Sequence, residues 1–262
     1  MYIVMDIGGT NMRVAAATKD TLGDIKKVPT PKDPVEGIAR FVALARECAR
    51  GEEITAVAGC VAGSVSDGGT ISDARNLRAW ERMNIVQEFS AALGVAVRIV
   101  NDAALAGLGE SYAGAGRGAK TLLYVTVSTG VGGGWIVDGK IAAAGGVAGI
   151  KVGGADLEDL VSGTAVRKKF GVHPKDLDSL EERNKLADTL AEGLLALTLQ
   201  WPSDVIVLGG SMIVGVNPVP ILRVQESLNK LPTSGKPPVI KMAELGDNGG
   251  LMGGVALLRQ TN

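Results

Sequence analysis

The stretch that most constrains this chain is Met5-Asp6-Ile7-Gly8-Gly9-Thr10-Asn11. It stands between an apolar run at 2–5 and an alternating one at Met12, Val14 and Ala16. That pattern predicts strand, glycine turn, strand. Adjacent glycines with a hydroxyl residue at the tip let backbone N–H groups approach an anion. Asp6, ending the first strand, is then placed to hold a hydrated cation beside that anion. From these residues alone an ordinary Gly-Gly hairpin with a turn aspartate reads the same way. A second stretch repeats the pattern. The apolar run 121–128 enters Thr129-Gly130-Val131-Gly132-Gly133-Gly134 and leaves through Trp135 to Val137. Two such hairpins can clamp the phosphate tail of one nucleotide. Neither is a Walker A loop, because GxxxxGK[ST] does not occur. Gly114-Ala115-Gly116-Arg117-Gly118-Ala119 fits GxGxxG/A but follows a helical pattern and precedes a strand, the reverse of the dinucleotide context.

A chain of 262 residues holds one or two α/β lobes with a substantial core. Its formal net charge of −1 gives no reason to expect a nucleic acid or an anionic membrane as partner. Cys48 and Cys60 have neither zinc nor redox spacing, so a reducing, cytoplasmic setting is expected. No signal peptide is expected, since 2–9 already read as strand and turn. No apolar run approaches membrane-spanning length.

In chain order, a hairpin at 2–8 and 11–18 is followed by a strand over 25–28. Asp33-Pro34-Val35-Glu36 opens a helix, with Asp33 as cap and Pro34 first. Ile38, Phe41, Val42 and Ala45 carry it to about Arg50. A strand over 54–60 leads to Gly63, and 67–69 reads as a turn. A helix over 84–93 ends at Gly94. The strand 96–100 delivers Asn101 and Asp102 to its carboxyl end, where open α/β sheets bind ligands, and a helix follows to about Tyr112. Asp138-Gly139 reads as a hairpin turn, and 142–154 is assigned no element. A helix is expected from Asp156 to about Phe170, and a long apolar helix face at Leu186, Leu190, Leu194 and Leu197. A strand over 204–208 ends at Gly209-Gly210. A helix over 220–230, a strand over 239–242 and a helix over 250–259 complete the chain. Strands followed by helices occur twice, in 2–112 and 121–259, which reads as a duplicated lobe. His173, the only histidine, precedes Pro174 in a polar loop and reads as a surface residue far from every motif.

Asp6-Ile7-Gly8-Gly9-Thr10, Gly59-Cys60-Val61-Ala62-Gly63, Asn76-Leu77 with Trp80, Val100-Asn101-Asp102-Ala103-Ala104, Ser128 to Gly134 and Val207-Leu208-Gly209-Gly210 stand in the order of the ROK sugar kinases. The chain resembles that family over nearly its whole length. The resemblance implies an α/β fold of the actin-like, RNase H-like ATPase type: two lobes with an interlobe cleft that closes and excludes water. The first lobe would be 1–112 plus 249–262, and the second 113–248. It implies ATP and Mg²⁺ as cofactors. Asp6 would position Mg²⁺ through water, and Gly8, Gly9, Thr10 and Asn11 would form the first phosphate loop. Thr129, Gly130 and Gly132 would form the second, and Gly209 and Gly210 would lie against the adenosine. Gly63, Asn76, Asn101 and Asp102 would contact the sugar, with Asp102 as catalytic base. Phosphoryl transfer asks for such residues, because it needs positioning, charge neutralisation and a carboxylate to take the hydroxyl proton. On the residues alone, Asp102 also fits a helix cap, Asn101 a turn residue, and Gly209-Gly210 a tight turn. The family's dimers are permitted by the apolar helix faces.

The pattern breaks after the second hairpin. The family's Glu-x-Gly-His segment and cysteine-rich zinc loop have no counterpart in 149–163. A structural zinc site is excluded on ligand count, with two distant cysteines and one histidine. Glu158, in Asp156-Leu157-Glu158, matches the tail of the family's Gly-Cys-Leu-Glu motif and would be the remaining sugar carboxylate. It also fits an acid in a helix first turn. The resemblance implies phosphorylation of a hexose or hexose derivative. The altered segment keeps open a weak or inactive sugar and nucleotide binder, or a kinase for another small hydroxyl substrate. The family's repressors carry a helix-turn-helix module, for which no room is expected ahead of Asp6.

Overall fold

The computed structural model describes residues 1–18, 21–66, 68–74, 76–232 and 235–260. The chain divides into two compact units, Met1–Gly109 with Asp247–Asn262, and Glu110–Gly246. The first crossing falls inside a helix rather than at its end near 112, where the sequence placed it.

Unit 1 begins with β1 (Tyr2–Ile7), β2 (Asn11–Ala17) and β3 (Lys26–Pro29), an antiparallel meander. Helix α1 (Pro34–Ala49) follows, with Asp33 accepting from Glu36 N–H at 2.9 Å as the sequence required. Strand β4 (Ala56–Val61) then pairs parallel to β1. A small pair, β5 (Ser64–Val65) and β6 (Ile71–Ser72), follows it. The turn expected at 67–69 lies partly outside the described residues, at Asp67; Gly69 N–H donates to Ser66 O at 2.8 Å. Helix α2 (Ile85–Leu93), capped by Asn84, leads to β7 (Ala96–Val100), parallel to β4, and then to α3 (Asp102–Ala113). The sheet order is β3-β2-β1-β4-β7. Burial of Ile3, Met5, Ile7, Phe41, Val57, Trp80 and Phe89 builds the core, with Phe41 and Phe89 stacked at 4.2 Å.

Unit 2 repeats the plan. β8 (Thr121–Val127), β9 (Val131–Val137) and β10 (Lys140–Ala144) form an antiparallel meander. The short β11 (Lys151–Val152) and β12 (Ala155–Asp156) pair next, within the segment the sequence left unassigned. The single helix expected over 156–170 is two: α4 (Leu157–Val161) and α5 (Gly163–Phe170). Ser162, extended at φ −70°, ψ 161°, breaks them and caps α5, its hydroxyl accepting from Ala165 N–H at 3.1 Å. Helix α6 (Leu180–Gln200) buries Leu186, Leu190, Leu194 and Leu197. β13 (Val205–Gly209), α7 (Ser211–Val214), α8 (Ile221–Lys230) and β14 (Val239–Met242) follow. The order β10-β9-β8-β13-β14, with β13 parallel to both neighbours, matches the first sheet strand for strand. The last helix, α9 (Gly249–Arg259), returns to unit 1 and packs on β1 and β4. Among the described residues no helix is long and apolar enough to cross a membrane.

Candidate functional site

In unit 1 the strand register sets one row across the sheet. Asp6 pairs with Arg13 on β2 and with Cys60 on β4, and Cys60 pairs with Val100 on β7. Side chains in register share a face. Arg13 Nη2 lies 3.6 Å from Asp6 Oδ2, and the Cys60 thiol donates to Asp6 Oδ1 at 3.5 Å. Arg13 also reaches the Asp247 carbonyl, and its carboxylate at 3.8 Å. Burial pushes the Asp6 carboxyl above the usual range, and Arg13 opposes that shift. Asp102 stands beside this row. Burial raises its pKa and the Asp6 charge adds to the rise, while the Ala103 N–H, donating to Oδ1 at 2.8 Å, lowers it. Its solvent contact limits the size of the shift. The cap of α3 is Asn101, whose Oδ1 accepts from Ala104 N–H at 3.0 Å. Asp102 is thus the first helical residue and not the cap. Cys60, fully buried, has its thiol pushed well up by burial and by the Asp6 and Asp102 charges.

The first turn, Gly8-Gly9-Thr10, continues from β1. A Cβ on Gly9 would overlap the Cβ of Asn76, so only glycine lets the Asn76 segment lie on the turn. Gly63, at φ +116°, sits against Ser72 O and Ala74. The fold therefore gathers Asp6, Gly8, Gly9, Thr10, Gly63, Asn76, Asn101 and Asp102 within unit 1. Asn11 opens β2, and its carbonyl accepts from Gly8 N–H at 2.9 Å.

In unit 2 the turn is Ser128-Thr129-Gly130. Strand β9 starts at Val131, so Gly132 pairs with Thr126 inside the sheet and is not part of the turn, contrary to the sequence reading. Gly133 is glycine because a Cβ would meet the Tyr124 carbonyl and Val147. The Glu158 carboxylate accepts from Val131 N–H at 2.9 Å and abuts Gly130, so it braces this turn. Gly209 faces the Tyr124 hydroxyl, and Gly210, at φ +87°, lies against Val127 O beside the turn. A cavity of about 140 Å³ opens next to Thr129, lined also by Gly163, Arg167, His173, Ser211 and Gly215. His173 is exposed but not remote from the motifs. It shares this cavity with Thr129 and caps a short turn, its Nδ1 accepting from Lys175 N–H at 3.3 Å. Sequence reasoning also missed Arg13 and the place of Cys60. The register of Arg13 opposite Asp6 was the available signal.

Among the described residues no cluster of three or more His, Cys, Asp or Glu could cage a metal ion. A half-buried Asp6 flanked by one cation fits a divalent ion held chiefly by phosphate oxygens and water, with one carboxylate behind it.

The model of the ROK family matches residues 2–154 of the chain. Over 146 residues the chain is 39% identical to a glucokinase of Streptomyces coelicolor, covering 54% of this chain and 45% of the glucokinase. The chain thus matches under half of that protein's length. Over 206 residues it is 31% identical to a fructokinase of Zymomonas mobilis, covering 68% and 67%. Among solved structures, a ROK hexokinase from Thermus thermophilus aligns with a TM-score of 0.88 at 24% identity, over 100% of this chain and 99% of that one. A ROK family glucokinase from Streptomyces griseus, in complex with glucose and AMPPNP, gives 0.78 at 23% identity over 99% of each. At these identities the structural likeness is one of fold.

Proposed function

The chain belongs to the ROK family, and we propose that it is a sugar kinase that moves the γ-phosphoryl group of ATP to a hydroxyl of a hexose or hexose derivative. The observation that carries the reading is the row Arg13–Asp6–Cys60 with Asp102 beside it, set at the mouth of a glycine turn. Two neighbouring carboxylates, one of them beside a cation, suit two roles.

Asp102 is the base. The acceptor oxygen attacks the γ-phosphorus, the bond from that phosphorus to the bridging oxygen breaks, ADP leaves, and the hydroxyl proton passes to the Asp102 carboxylate. A pKa raised by burial makes the Asp102 carboxylate a better proton acceptor. Asn101, Asn76 and Gly63 orient the sugar, and Glu158 adds a further carboxylate to the acceptor. Gly8, Gly9, Thr10 and Asn11 in unit 1, and Thr129 and Gly130 in unit 2, serve the phosphates. Gly209 and Gly210 serve the adenosine. Asp6 would hold Mg²⁺ through water; that ion, when bound, neutralises phosphate charge.

The test is ADP release with Mg-ATP over a panel of hexoses and N-acetylhexosamines, run beside Asp102→Asn. Turnover on one sugar that collapses in the mutant supports the kinase and the base together. Turnover that survives in the mutant removes Asp102 from the role. One observation favours a second reading: the bracing of the second turn by Glu158 engages the carboxylate assigned to the sugar. ATP binding without turnover on any sugar would favour a binder, and turnover on a non-sugar alcohol a different acceptor.

A further inference from the structure

The two turns are held by the same device. Thr30 follows β3 and is 5% exposed. Its hydroxyl donates to Gly8 O at 2.7 Å and its N–H to Thr10 O at 2.9 Å. Lys32 Nζ donates to Gly9 O at 2.6 Å. In unit 2, Thr164 on α5 donates to Thr129 O through its hydroxyl at 2.7 Å and its N–H at 3.1 Å. Gly163 N–H donates to Ser128 O at 2.7 Å. Every one of these contacts engages a carbonyl.

A peptide unit is a rigid plane in which C=O and the following N–H point opposite ways. Anchoring Gly8 O and Gly9 O therefore aims the N–H groups of Gly9 and Thr10 to the other side. Anchoring Ser128 O and Thr129 O does the same for Thr129 and Gly130. None of those four N–H groups has a partner among the described residues. Successive N–H groups pointing one way form a concave anion site.

We infer that Thr30 and Thr164 are positioning residues, each fixing the carbonyl side of its turn so that the opposite N–H face is preset for a phosphate group. The inference rests on the phosphoryl-donor reading above. Neither side chain touches the anion; both act through the backbone they hold.

Valine is the isosteric probe, since it keeps the shape and loses the hydroxyl, whereas serine keeps the hydroxyl. Titration calorimetry with Mg-AMPPNP, with KM for ATP and for the sugar, is run on Thr30→Val, Thr164→Val, Thr30→Ser and Thr164→Ser. Each valine variant is expected to weaken AMPPNP binding by roughly tenfold, the effect of one lost hydrogen bond. The sugar KM should stay within about twofold for Thr164→Val, and each serine variant should recover the wild-type affinity within about threefold. Thr164 is exposed, so its valine variant is no change to a core. Unchanged AMPPNP affinity in both valine variants overturns the inference, as does equal weakening by serine, which would point to the methyl group. Parallel loss of sugar affinity and melting temperature also overturns it, as a merely structural role. A wild type that binds no AMPPNP overturns the donor reading and this inference with it. A wild type that binds AMPPNP but phosphorylates no sugar removes the kinase reading alone, and the affinities still decide the role of the threonines.

Discussion

The two sheets share one strand plan, yet the row that ends beside each turn differs in kind. Counted back from the last strand pair before the turn, Asp6 corresponds to Thr126, Arg13 to Gly132 and Cys60 to Gly209. Unit 1 therefore carries Arg-Asp-Cys where unit 2 carries Gly-Thr-Gly. The first row supplies charge and a proton site; the second removes side chains and leaves backbone for a ligand to approach. One backbone geometry thus serves chemistry in one copy and cradling in the other, and the residue types in the row assign the task.

The largest expected break in that asymmetry is Asp102→Asn, which should lower kcat by about 10²–10⁴ with little change in ATP affinity. Thr126→Val, on the other row, should act on the KM for ATP instead; a kcat loss there matching that of Asp102→Asn would erase the distinction. Because Asp102 must be ionised to accept a proton, the rate should fall as pH drops through its raised pKa. Asp6→Asn removes the like charge that helps raise it, so the acid limb should move to lower pH in a kcat–pH profile, alongside a higher Mg²⁺ requirement. Stability runs the other way. A carboxyl whose folded pKa is raised stabilises the fold below its unfolded pKa, and that contribution is lost as pH rises through the folded value. Asp102→Asn should accordingly melt no lower than wild type at neutral pH, as scanning calorimetry would show.

Glu158 offers a smaller effect. Glu158→Gln keeps an acceptor for Val131 N–H, whereas Glu158→Ala leaves that N–H without its partner, at a cost of roughly 1–3 kcal/mol to unit 2. If Glu158 also meets the acceptor, the Gln variant alone should raise the sugar KM; if it only braces the turn, Gln should be silent in both KM values. Smallest of all is the Arg223–Asp188 pair at 2.7 and 2.8 Å on α6 and α8. Arg223→Ala should cost about 0.2–1 kcal/mol by urea unfolding, since the pair is half exposed. Arg223 holds the Asp188 carboxyl below its usual range, so its contribution is present above the ordinary carboxylate pKa and fades as pH falls through the lowered value.

Much of this was readable before the fold was known. The first hairpin, β7, β14 and α1 with its Asp33 cap are local signals, and they stand where periodicity and capping put them. The reason for the break at Ser162 is tertiary: Gly163 N–H goes to Ser128 O. The second turn read too long because its glycines look like loop, whereas close approach to Tyr124 O demands them within a strand. Arg13 reads as an outward residue of an alternating strand until pairing sets it opposite Asp6. Glu158 braces Val131 and His173 shares a cavity with Thr129, and in both cases the neighbour is distant in sequence.

The buried Cys60 has one more consequence. Both cysteines of the chain, Cys48 and Cys60, lie in unit 1, both are buried, and burial raises the pKa of each. Cys60 offers no thiolate to an alkylating reagent while the native packing holds, and Cys48, at 9% exposure, offers little. Labelling therefore counts the openings of unit 1 alone, at single-residue cost and with no engineered probe, while unit 2 contributes no signal.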